Sequence, residues 1–235
     1  MDKKYFLFFI ALTFFFASCS EDDEIGTGLT SYDRSVINYF SEVALGFEFG
    51  GGSEITRKWT SEMKIFVGGT KTPDLINELQ EIVTEINALA TDGFTLKIVT
   101  DTLQSNFYIF LGTSSRYASI FPSQSGFVAD NWGLFNVFWN AENQLNAGHM
   151  YVDLIRADAI VQKHLLREEL TQSLGLAKDS PLYEQSIFQS RSTETNQYAK
   201  IDEDLIRLLY HPNMQVGLTK EQVEGVLIDI LLSEK

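Results

Sequence analysis

KHLLREELTQSLGLAKDS, residues 163–180, reads as a helix that ends on a glycine. At 3.6 residues per turn, Leu166, Leu170 and Leu174 recur every fourth position and form one narrow apolar stripe. His164, Glu168 and Gln172 repeat the same spacing on the opposite side, with Glu169 beside them. Such a helix packs its leucines on a sheet and presents its polar groups to a cleft. Lys163 and Arg167 lie near the apolar stripe, and their long stems are expected to run past its edge to water. His164, one turn ahead of the glutamates, is expected at the surface. Gly175 follows the last leucine, where a glycine lets the chain turn through a left-handed conformation. The pattern predicts a helix over about 158–174.

Working outward, 148–156 and 132–140 alternate β-branched and aromatic residues and read as strands, as do 106–112, 94–100 and 63–69. SSRYASIFP (114–122) reads as a helical turn or loop closed by proline. Residues 73–93 form an amphipathic helix with Pro73 near its start and Gly93 at its end, and 31–47 form another. Downstream, IDEDLIRLLYHP (201–212) and a segment from Thr219, where Thr219 and Gln222 make a capping box, read as two more helices. This order predicts an α+β (α/β-like) fold, a mixed twisted sheet of about five strands with helices packed on it, plus a smaller, mostly helical C-terminal part. The folded domain is expected over 31–235, with an upper lobe at about 31–175 and the C-terminal part at about 176–235.

Residues 1–18 read as a leader. Lys3 and Lys4 precede an apolar run, YFLFFIALTFFF, too short to span a bilayer and suited to a signal peptide. The run ends in Phe16-Ala17-Ser18-Cys19, which resembles a bacterial lipobox, and Cys19 is the only cysteine of 235 residues. Lipidation at Cys19 is expected, and a disulfide role is not. Residues 19–30 form an acidic, glycine-containing tether. An acidic cluster directly behind the lipidated cysteine resembles the signal that sends lipoproteins to the outer face of the outer membrane in some Gram-negative bacteria. The net charge of −14 excludes a basic footprint for nucleic acid and an electrostatic hold on anionic lipid. A lipid anchor is then the expected membrane contact. Hydrophobic residues make up 44% of the chain, enough for a core without disulfides.

EELTQSLGLAKDS (168–180), SIF (186–188), LLYHP (208–212), GFEFG (46–50), KW (58–59) and IFVGG (65–69) together resemble an uncharacterised family of secreted bacterial proteins carrying a Glu-Glu-Leu-x-Gln-Ser-Leu-Gly-Leu motif. The likeness covers about 31–232. More distantly, the element order and the motif resemble the metzincin zinc peptidases, whose H-E-x-x-H-x-x-G-x-x-H frame falls here on Glu168, Glu169, Gln172, Gly175 and Lys178. That resemblance implies a zincin-like fold, with Glu169 in the general base's place. It implies that the turn at Gly175 brings Lys178 and Asp179 back toward Glu168 and Gln172, and that Phe188 stands where a methionine underlies the metal. None of the three ligand histidines is present.

Zinc hydrolysis needs three protein ligands to hold a metal that lowers the pKa of bound water. Gln172 offers a weak amide ligand, and Lys178 would have to lose its proton beside two glutamates. No cofactor is expected, and zinc is disfavoured. Three arrangements remain open: a rearranged metal site from His164, Glu168 and Asp179; an ion-pair network of Lys178 with Glu168, Glu169 and Gln172; and glutamates that are simply solvated. Two functions follow from them. One is a non-catalytic surface lipoprotein that binds a peptide or protein, with Trp132, Phe135, Phe138 and Trp139 of an edge strand serving strand addition or core packing. The other is an unconventional peptidase-like hydrolase with Glu169 as general base and a rearranged or weak metal site.

Overall fold

The computed structural model describes residues 28–48 and 51–235. The expected leader, Cys19 and the tether through residue 27 lie outside the described residues. The described residues form a mixed α/β fold with six α-helices and one six-stranded sheet.

The helices are α1 (Ser31–Ala44), α2 (Pro73–Leu89), α3 (Ser114–Ile120), α4 (Ala159–Gln172), α5 (Lys200–Leu209) and α6 (Lys220–Ser233). The strands are β1 (Lys58–Trp59), β2 (Met63–Gly69), β3 (Leu96–Val99), β4 (Phe107–Gly112), β5 (Gly133–Trp139) and β6 (Gln144–Asp153). Side by side, β3, β2, β4 and β6 run parallel, and β1 adds in parallel beside the start of β6. Among the described residues, strand β5 turns back and pairs antiparallel with β6 alone, which makes it the edge.

The period-2 alternation of the strands sorts their side chains between two faces. Phe107, Ile109 and Leu111 of β4 and Met150 and Val152 of β6 enter the main core, with α2 and α4 above them. Phe110, Leu134 and Tyr151 point to the other face and pack on Tyr117 of α3 in a smaller cluster. Helix α1, capped by a reciprocal Thr30–Asp33 box, packs against α5 and α6. One continuous core therefore runs from Leu29 to Leu231.

Two expectations change. Strand β1 went unforeseen, since two residues show no period; its Trp59 is fully buried. The sheet thus has six strands, not about five. Arg167 does not run to water. It is 1% exposed, pairs with Glu78 at 2.9 Å and with Glu85, and lies 4.6 Å from the Tyr198 ring centre. Both carboxylates belong to α2, so the cation stays inside because α2 brings its counter-charges to it.

Candidate functional site

Asp158 starts α4 by accepting backbone N–H bonds from Ile160 and Val161, both 3.0 Å. Leu166, Leu170 and Leu174 are at most 1% exposed and face the core, as their spacing predicts. The far end of the helix is closed by residues distant in sequence. Trp59 Nε1 donates to the Ser173 carbonyl and the Tyr210 hydroxyl to the Leu174 carbonyl, both at 2.9 Å. These two bonds satisfy carbonyls that a helix end leaves orphaned. Gly175 then takes φ +117, and a Cβ there would sit 2.0 Å from the Arg57 carbonyl oxygen. Glycine is required by both conformation and space.

The polar side of α4 meets the edge strand. The Trp132 carbonyl accepts from Asp153 N–H at 2.7 Å, so by alternation Gly133, Phe135 and Val137 turn their backbone groups away from β6 to the free edge. The Glu169 carboxylate lies near the Phe135 N–H there, which favours its charged form. It comes so close to β5 that a Cβ on Gly133 would lie 2.5 Å from Glu169 Oε1. A cavity of about 650 Å³ runs along this edge, lined by Glu168, Glu169, Gln172 and Asp179 on one side and by β5 on the other. Trp132, Phe138 and Trp139 are 44%, 50% and 41% exposed, whereas Phe135 packs on the main core. Trp139 also stacks on Phe47 at 5.2 Å, with the Arg57 guanidinium 4.6 Å from its ring centre.

Gln172 Nε2 donates to Asp179 Oδ1 at 2.5 Å. Burial, then the charges of Glu168 and Glu48, push the Asp179 carboxyl up to about 7. Burial foremost, and then Glu168, Asp179 and Glu48, hold Glu169 well above the usual carboxylate range. Glu48 is raised by burial and by Glu168. His164 is buried, not at the surface, with Nε2 3.2 Å from Glu168 Oε2 and Nδ1 2.7 Å from the Thr195 carbonyl. Burial opposes its charged form, but the bond to Glu168 prevails and raises its pKa.

Lys178 takes no part in this cluster. Its Nζ lies 3.7 Å from Glu54, and it lines a neighbouring hollow. The ion-pair network expected of it with Glu168 and Glu169 is replaced by the Gln172–Asp179 bond, because Lys178 N–H bonds the Val43 carbonyl at the end of α1 and its side chain follows that loop. Phe188 is fully buried in a loop that Asp202 holds through Ser186 and the Ile187 N–H. His149 is buried against Phe121 and bonded to Tyr117, and burial lowers its pKa to about 4. Among the described residues no group of three or more His, Cys, Asp or Glu side chains is placed to hold a metal ion. Two site residues escaped sequence reading. Glu48 lies far from the motif in the chain and carries no local signal. Gly133 could have been noticed as a glycine inside a strand, which marks close approach by another group.

These residues define a class: a mixed α/β domain with a carboxylate-lined cleft along the open edge of its sheet. The chain belongs to the family of proteins of unknown function DUF2927, whose model matches residues 33–229. A search of curated proteins returns no match.

Proposed function

We propose that this protein is a surface lipoprotein, anchored through Cys19 to the outer membrane of a Gram-negative bacterium, whose metzincin-like domain binds a peptide or protein segment without cleaving it. The free edge of β5 carries the reading. An edge strand with outward backbone groups, beside a cavity and half-exposed aromatic rings, suits the addition of an extended segment as one more strand. The metzincin likeness is supported by the single antiparallel strand at the cleft, by α4 behind it and by the positive-φ turn at Gly175. The residues at the zinc-ligand positions do not fit zinc. Gln172 is committed to Asp179, and Lys178 faces Glu54.

The hydrolase reading keeps one observation, a buried Glu169 carboxyl with a raised pKa at the cleft, a property of general acids and bases. One experiment separates the two. Capped, extended peptides are expected to bind in fluorescence anisotropy and to remain intact by mass spectrometry after prolonged incubation. Val137→Pro, which removes an outward N–H while leaving the β6 ladder whole, should weaken binding at least tenfold. Cleavage that Glu169→Gln abolishes would put the hydrolase first.

A further inference from the structure

We infer that the cleft along β5 selects an extended segment carrying a lysine or arginine side chain. This rests on the strand-addition reading and names the chemistry of its ligand. Among the described residues, the charged lining of the cavity is Glu48, Asp130, Glu168, Glu169 and Asp179, with no lysine or arginine. Glu169 lies against Gly133 of the strand itself. Glu48, Glu168 and Asp179 come from three separate segments, the loop after α1, helix α4 and the turn after Gly175, and come together in the groove, where Glu168 and Glu48 act on Asp179. The cation nearest Glu168 is His164, at 3.2 Å, and Lys178 turns instead to Glu54 in the adjoining hollow. The groove thus gathers carboxyl groups that a bound cation would draw into their charged form, and among the described residues its lining holds no Lys or Arg to do so.

Trp132 and Phe138 share with Leu134 the face turned away from the carboxylates, and their half-exposed rings suit the neighbouring side chains of a bound strand. A strand laid on the free edge sends alternate side chains to opposite faces, so a single position of the bound segment meets the carboxylates. Trp139 turns to the carboxylates' face, but its ring already meets Phe47 and the Arg57 guanidinium.

The test uses the folded domain and a positional-scanning library of hexapeptides capped at both ends, read by fluorescence anisotropy. Lysine or arginine should be selected at one position. Replacing that residue by norleucine, which keeps the stem and removes the charge, should weaken binding at least tenfold. The double variant Glu168→Gln, Asp179→Asn should lose this preference while still binding the norleucine peptide; Glu48→Gln, at a side chain outside the core, should reduce it in a chain whose fold is not at risk. Thermal melts confirm that each variant is folded. A lysine-to-norleucine ratio under tenfold, or one left unchanged by the amide substitutions, overturns the inference while leaving strand addition standing. Tight binding that depends on lysine but ignores backbone N-methylation overturns strand pairing and keeps the charge selection. If no hexapeptide binds, both fall.

Discussion

Asp179 holds its proton to about pH 7 because burial and the charges of Glu168 and Glu48 disfavour the carboxylate. A carboxyl whose folded pKa lies above its unfolded value binds its proton more tightly when folded, so its contribution to stability is present at low pH and is lost as pH rises through the folded pKa. For Asp179 that window runs from its ordinary value of 3.8 to about 7. His164, raised by Glu168, acts in the same direction from 6.5 upward, and so does Glu169 above its ordinary range. The melting temperature should therefore fall between pH 5.5 and pH 8. Asp179→Asn, which keeps a partner for Gln172 and removes the charge, should fall less and melt higher than the parent at pH 8. Equal slopes for the two proteins would show that Asp179 is not buried among these carboxylates. The spacing of the motif made Glu168, Gln172 and Glu169 legible as one polar side. It did not reveal which of Lys178 and Asp179 turns inward. A backbone bond to Val43, far away in sequence, decides that, and no local pattern records it.

At the scale of elements, α4 is a helix whose two ends have different origins. Its start is written locally, in Asp158 and the two N–H groups it caps, and its core stripe in the leucine spacing. Its end depends on Trp59 from β1 and Tyr210 beyond α5. That division explains what could be read beforehand. Helices and strands with several periods stand out, and β2 falls on 63–69 as expected. The two-residue β1 shows no period, and β6 begins at Gln144, ahead of the expected 148, in a stretch where only Leu145 is buried. Gly175 joins the two halves of the design. Gly175→Ala should cost roughly 1–3 kcal/mol for the left-handed backbone alone, with the overlap on the Arg57 carbonyl in addition. Gly126→Ala, where a Cβ meets nothing within 4 Å, serves as the control and should be near neutral. Urea titration of both variants measures the difference, and equal midpoints would mean that the turn relaxes freely.

For the whole molecule, a net charge of −14 leaves little electrostatic attraction to an anionic bilayer, so the proposed membrane hold must be covalent. Cells fed an alkyne fatty acid should label the wild-type protein and not Cys19→Ser; an unlabelled wild type would overturn the anchor. The packing of α1 has a consequence of another kind. This helix is synthesised near the beginning of the folded region, yet its partners α5 and α6 come at the far end, and Tyr32 reaches Asp204 at 2.8 Å while Asp33 pairs with Lys235 at 2.9 Å. Contacts this distant along the chain close slowly, because the loop between them must be ordered first. While the ribosome is still working, the buried side of α1, with Val36, Tyr39, Phe40 and Val43, has nothing to cover it. A nascent chain paused before α6 therefore offers holdase chaperones an apolar helix that the finished protein never shows.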